Sequence, residues 1–291
     1  MTPTASTDAP ADERVRVGDV DLRVLRAGSE GEHVLFVHGN PGSADDWHGS
    51  MAAVAGTARA IAIDLPDFGE TRAPKGFAHS VAAYADFLER AREALGIERV
   101  HLVLHDFGGP IGLLWAATHP DAVASVTLID TGVLPDYRWH ILARIWRTPV
   151  GGELFQATTT RPAFRFVVNL QEPQTLPRAF LDGMYRHYGR RTRRAVLRLY
   201  RATSDPSGMS REVTGRLREL DLPALVIWGE HDAYLPASYA WRQREAFPSA
   251  EVHVLATSGH WPFVDAAPTV ERLLSQFLAA TVDRPVSASS A

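Results

Sequence analysis

The stretch Val100-His101-Leu102-Val103-Leu104-His105-Asp106-Phe107-Gly108-Gly109 decides how this chain folds. Val100–Leu104 reads as a short strand and the segment from Gly109 to about Thr118 as a helix. His105-Asp106-Phe107-Gly108-Gly109 between them reads as a sharp turn. The same alternation continues on both sides. Upstream lie β-rich runs at Val15–Val17, Leu22–Leu25, Val34–Val37 and Ala60–Ile63. The helical stretch Ser80–Leu95 follows, with Val81, Tyr84, Phe87, Leu88, Ala91 and Leu95 at helical spacing. Downstream come strand Val123–Ile129, then, after a long gap, strands Ala224–Trp228 and Val252–Leu255 and a helix from about Thr269 to Ala280. Apolar strands alternating with helices predict an α/β fold, a mostly parallel sheet covered by helices on both faces.

The gap is an insertion. From Gly132 the strand signal stops, and Arg-rich, aromatic, helix-like sequence follows, broken by Pro149, Pro162, Pro173, Pro177 and Pro206. The expected organisation is a core in two parts, 14–131 and 221–282, split by a helical insertion at 132–220. Tails at 1–13 and 283–291, rich in Ala, Ser, Thr, Pro and Asp, read as disordered. Charge follows the same division. The insertion holds 16 Arg against 7 acidic residues, so it is strongly basic inside a chain whose net charge is −4. A basic insertion can attract anionic substrates or rest on the acidic core. Arginine outnumbers lysine throughout, Lys75 being the only lysine, and this bias favours contact with the core.

Composition removes several functions. The chain has no cysteine, which excludes disulfide scaffolding, thiolate metal sites and a cysteine nucleophile; a nucleophile must be Ser, Thr, Asp, Glu or Lys. Net charge of this sign argues against nucleic-acid binding. No apolar run reaches the roughly 18 residues of a membrane span, and Met1-Thr2-Pro3-Thr4 opens no apolar signal stretch. The expectation is a soluble cytoplasmic protein, with a homodimer left open.

Three signals sit at the carboxyl ends of strands, where open parallel sheets bind ligands. They are Val37-His38-Gly39-Asn40-Pro41-Gly42, the turn at Asp106, and the pair Gly229-Glu230-His231-Asp232 and Ser258-Gly259-His260. With these in order the chain resembles the α/β-hydrolase superfamily over about residues 14–282, including a cap inserted after the sixth strand. No serine has glycine two residues away on both sides, so the serine elbow is absent. Asp106 at the elbow resembles the branch that contains epoxide hydrolases and haloalkane or haloacid dehalogenases.

That resemblance implies Asp106 as nucleophile and His260 as the base that activates water. Asp232 orients His260, with Asp130 at the end of the sixth strand as the alternative acid. A carboxylate is already ionised at neutral pH, so it can open an epoxide or displace a halide, and the histidine serves hydrolysis of the resulting ester. Oxyanion donors would be the backbone N–H groups of Phe107 and Asn40, since Pro41 has none. The residue types leave humbler roles open: Asp106 could be a helix N-cap and His260 a turn histidine.

The leaving group separates two chemistries. Haloalkane dehalogenases pair a Trp after the nucleophile with an Asn such as Asn40; here that position is Phe107, which has no donor. Epoxide hydrolases use cap tyrosines, and Leu199-Tyr200-Arg201 resembles one such segment, with a second donor among Tyr137, Tyr185 and Tyr188. Each of these tyrosines could equally pack its ring and wet its hydroxyl. Trp139 and these tyrosines are the candidate substrate contacts. The expectation is therefore a cofactor-independent, metal-free epoxide hydrolase using water on a small or medium apolar substrate. A dehalogenase comes second, and a non-catalytic ligand binder of the same fold third.

Overall fold

Strand formation follows the apolar runs. The computed structural model describes residues 9–282. Its strands are β1 (Ala11–Val17), β2 (Val20–Ala27), β3 (His33–Val37), β4 (Arg59–Ile63), β5 (Val100–His105), β6 (Val123–Ile129), β7 (Ala224–Gly229) and β8 (Glu251–Leu255). They join into one sheet in the order β1-β2-β4-β3-β5-β6-β7-β8. β1 pairs antiparallel with β2 and β2 with β4; the remaining pairs are parallel. Every residue of β5, β6 and β7 is buried, as expected of central strands covered on both faces.

β1 corrects one expectation. It takes in Ala11, Asp12 and Glu13, which their composition assigns to the tail. As an edge strand its outer positions are charged, so Ala11-Asp12-Glu13-Arg14-Val15-Arg16-Val17 has the look of a polar terminus. Asp12 to Arg23 at 2.9 Å and Glu13 to Arg26 at 2.9 Å tie it to β2. Of the two expected tails, 1–8 and 283–291 lie outside the described residues, and Ala9 and Pro10 precede β1 without regular structure.

Core helices are α1 (His48–Val54), α2 (Val81–Ala94) and α3 (Gly108–Thr118). The insertion contributes α4 (Ile141–Arg147), α5 (Gly151–Thr158), α6 (Arg161–Asn169), α7 (Arg178–His187), α8 (Arg190–Ala202) and α9 (Pro206–Leu220). α10 (Ser238–Arg242), α11 (Pro262–Asp265) and α12 (Ala267–Val282) complete the chain. α1 packs on α12 and α2 on α3, both pairs against the sheet. Within the insertion α4, α5 and α8 pack together, as do α6 and α7, while α9 leans on α3 of the core. No helix among the described residues is long and apolar enough to cross a membrane.

The insertion's positive charge is spent mostly within it. Arg147 donates to the carbonyls of Tyr200 and Thr203, Arg193 to those of Gln156, Thr159 and Tyr188, and Arg211 to that of Pro135. Such carbonyls at helix ends lack intrahelical partners, and guanidinium groups supply them. The core contact is narrower than composition suggests: Arg191 reaches Asp67 and the Gly69 carbonyl, and His187 Nε2 meets Asp45 at 2.8 Å.

The chain order of the strands positions the site. β3 has β4 on one side and β5 on the other, so the connections leaving β3 and β5 diverge. A crevice opens between them at the strands' carboxyl ends, the usual ligand position in such sheets.

Candidate active site

Asp106 stands at the mouth of that crevice, between β5 and α3. Its φ of 46° lies in the left-handed region, a conformation that costs a non-glycine residue about 1–2 kcal/mol and throws the side chain clear of the strand. The Thr131 hydroxyl donates to the Asp106 carbonyl at 2.6 Å and fixes the corner. Gly39 in the adjoining loop has to be glycine: a Cβ there would lie 2.3 Å from that of Asp106. The close approach lets Asn40 N–H donate to Asp106 Oδ1 at 2.6 Å, leaving Oδ2 free.

His260, in the loop after β8, places Nε2 3.7 Å from Asp106 Oδ2 and Nδ1 2.8 Å from Asp232 Oδ2. Asp232, after β7, also accepts from the N–H groups of Tyr234 (2.7 Å) and Leu235 (2.9 Å) through Oδ1. Nδ1 of His260 therefore carries its proton toward Asp232, and Nε2 faces Asp106. His105 sits beneath, its Nε2–H donating to the His260 carbonyl at 2.8 Å; burial, with the charge of His260, pushes His105 down to about 3, so it stays neutral.

The electrostatics follow from two carboxylates around one imidazole. Burial works to lower the His260 pKa, but Asp232 and Asp106 together hold it well above the ordinary value. Burial works to raise Asp106, and the nearby charge of His260 outweighs it, so Asp106 stays ionised. Asp130 is fully buried and accepts from Gly229 N–H at 2.9 Å through Oδ1. Burial and the neighbouring charge of Asp232 push its carboxyl well up. It makes no hydrogen bond to His260, whose imidazole is hydrogen-bonded to Asp232 instead. Atoms of Asp130, Asp232 and His260 lie within 4.8 Å of one another, yet the His260 to Asp232 hydrogen bond already engages two of the three.

Two cavities flank Asp106. The larger, about 780 Å³ and partly open to solvent, lies between core and insertion and is lined by Asn40, Tyr188, Tyr200, Tyr234, His260 and apolar residues of α4 to α6. The second, about 520 Å³, is bounded by Phe107, Tyr137, Trp139, Tyr200 and Tyr234. Tyr200 lines both, its ring 4.9 Å from that of Phe107 and 5.2 Å from that of Trp139; burial holds its phenol well above the ordinary value, so it keeps its proton. Tyr188 and Trp139 thus belong to opposite cavities. Tyr185 lines neither, a departure from the sequence expectation: its hydroxyl donates to the Thr159 carbonyl and its ring lies under Arg161 and Arg193.

His105, His140, Glu172 and Tyr234 stand at the site without having been assigned a role from sequence. His140 lines both cavities and caps α4, its Nδ1 accepting from Ala143 N–H at 3.2 Å. Burial pushes its pKa down to about 4, so the neutral ring carries its proton on Nε2. The adjacent Trp139-His140 pair was the available signal. Tyr234, two residues after Asp232, places its ring 4.7 Å from that of His260, and proximity to the acid could have flagged it.

Comparison with known proteins identifies the fold. Residues 32–267 match the α/β-hydrolase fold family. The dihydrolipoyllysine-residue acetyltransferase component of an acetoin cleaving system from Pseudomonas putida is 30% identical, over 92% of this chain and 70% of its own. A 2-hydroxy-6-oxononadienedioate/2-hydroxy-6-oxononatrienedioate hydrolase from a Pseudomonas species is 25% identical over 95% and 99%. Among solved structures, the haloalkane dehalogenase DatA from Agrobacterium tumefaciens C58 superposes with a TM-score of 0.81 at 21% identity over 94% of this chain and 98% of its own. A Vigna radiata epoxide hydrolase mutant gives 0.78 at 20% over 94% and 99%; at such identities the likeness is one of fold. The chain belongs to the α/β-hydrolase fold family.

Proposed function

We propose that this α/β hydrolase works through an Asp106 ester and opens small or medium apolar epoxides to diols. The observation that carries the reading is that ionised Asp106 and protonated Tyr200 line the same mainly apolar cavity, while Phe107 offers no side-chain N–H to a halide.

In the first step Asp106 Oδ2 attacks an epoxide carbon, the carbon–oxygen bond of the ring breaks, and the released oxygen takes a proton from Tyr200. Nε2–H of His140 is a second donor on the same wall, filling the role that sequence left among Tyr137, Tyr185 and Tyr188. The ester removes the charge of Asp106. One of the two carboxylates that raise His260 is then gone, so the imidazolium releases its Nε2 proton to solvent and the neutral imidazole becomes a base when water must be activated. Water loses a proton to Nε2 and adds to the carboxyl carbon. The oxyanion forms on Oδ1, where Asn40 N–H already donates and Phe107 N–H adds to the stabilisation; each such donor is worth about 3 kcal/mol. Collapse releases the diol oxygen, which takes the proton back from His260; the regenerated Asp106 carboxyl passes its own proton to His260, and Tyr200 is reprotonated from solvent.

A second reading, dehalogenation, is favoured by three buried donors without partners, Asn40 Nδ2, Trp146 Nε1 and Trp261 Nε1, all on residues of the larger cavity. The test is single turnover of His260→Gln with 1,2-epoxyhexane, styrene oxide, 1-bromohexane and chloroacetate, read by intact mass and peptide mapping. Epoxide adducts on Asp106 are expected. Adducts from the halides alone transfer the assignment to the second reading, and no adduct from any of the four contradicts both.

A further inference from the structure

One short segment between α6 and α7 carries hydrogen bonds from the insertion to the catalytic loops. Gln171 Nε2 donates to the Tyr234 hydroxyl at 3.1 Å, the Glu172 carboxyl accepts from His260 N–H at 3.1 Å, and Gln174 Nε2 donates to the Thr257 carbonyl at 2.7 Å. Three side chains within four residues therefore grip the loop of the orienting acid and the loop of the base. Their approach depends on Gly259, where a Cβ would lie 2.0 Å from Glu172 Oε2 and 2.7 Å from Pro173 Cδ. The His260 peptide is held at both polar groups, its carbonyl by His105 from the core and its N–H by Glu172 from the insertion.

We propose that Gln171–Gln174 is a clasp through which the insertion seats the His260 loop, and that Glu172 is a positioning residue for the water-activating step. The proposal rests on the reading of His260 as the base in ester hydrolysis. Glu172 touches no reacting atom. It fixes the backbone from which the imidazole hangs between Asp232 and Asp106, and a misplacement on the order of 1 Å can cost about 10²-fold in rate. Asp106 takes its own orientation from Gly39, Asn40 and Thr131, so the first step is insulated from the clasp.

The test compares Glu172→Ala with Glu172→Gln, whose amide oxygen can accept the same N–H. With 1,2-epoxyhexane, Glu172→Ala should hydrolyse the ester roughly 10- to 100-fold more slowly with ester formation within about twofold of wild type, so the adduct accumulates; Glu172→Gln should restore hydrolysis. Hydrogen exchange of the peptide containing His260 should quicken in Glu172→Ala and return to wild type in Glu172→Gln. Unchanged hydrolysis, equal slowing of both steps, or no rescue by glutamine overturns the proposal. If Glu172→Ala does not fold, the Gln171→Ala/Gln174→Ala double variant takes its place. It should slow hydrolysis selectively, and a wild-type rate overturns the clasp. Failure of the ester chemistry itself is seen separately, as absence of any adduct in His260→Gln, and the exchange measurement then still decides whether the clasp exists.

Discussion

Asp106 and His260 hold opposite charges that each stabilises in the other, and Asp232 tips the balance toward the imidazolium. This division predicts different phenotypes for the three side chains. Asp106→Asn should form no ester. Asp232→Asn should form the ester at close to the wild-type rate and hydrolyse it about 10³- to 10⁴-fold more slowly, by analogy with the triad aspartate of serine proteases; stopped-flow with intact-mass sampling separates the steps. Equal loss in both steps would count against Asp232 acting through His260 alone. Asp130 behaves differently because its carboxyl is pushed up by burial beside Asp232. At this scale the sequence was informative where chemistry and turn coincide, as at Asp106, Asp232 and His260. It was silent on His105 and Glu172, because their partners are backbone atoms of His260 far away in the chain.

Elements set those side chains through corners rather than through helix or strand interiors. The left-handed corner at Asp106 works only because Gly39 lets the neighbouring loop approach, so Gly39→Ala should destabilise the fold by about 1–3 kcal/mol in urea unfolding, the usual cost of overpacking. It should also weaken the Asn40 N–H contact and slow ester hydrolysis. In the insertion, Arg147 serves the carbonyls of Tyr200 and Thr203 at the end of α8 and lies over the Trp139 ring at 5.1 Å. Arg147→Ala should cost about 1–3 kcal/mol for the carbonyls left without donors, and loss of activity should accompany it because Tyr200 lies in the last turn of that helix. Central strands were legible because burial on both faces makes them continuously apolar. The charged first half of edge strand β1, ahead of Val15, and the short helices α1, α10 and α11, too brief for a helical period, were not.

Across the whole molecule, the insertion and the core share one site, and Glu172 records that sharing in its titration. Burial, with Asp232 and Asp265 adding, pushes its carboxyl up to about 8 from an ordinary 4.5. The folded protein thus holds a proton that the unfolded chain releases, so this contribution to stability is complete below pH 4.5 and is lost as pH rises through about 8. Glu172→Gln, neutral throughout, should lose less stability than wild type between pH 5 and 9, the two Tm curves separating as pH rises; parallel curves contradict this. The insertion's place in the chain was legible from charge and from the missing strand signal. Its contacts were not, since arginines that satisfy helix-end carbonyls leave no local pattern that tells them from arginines facing an acidic surface.

In the ester mechanism the oxygen delivered to product comes from Asp106 and not from water. Single turnover of wild-type enzyme with 1,2-epoxyhexane in H₂¹⁸O measures it, with mass analysis of the diol and of the peptide carrying Asp106. The ester mechanism predicts ¹⁸O in the Asp106 carboxylate and none in the first diol released; ¹⁸O in that diol with an unlabelled Asp106 would contradict it.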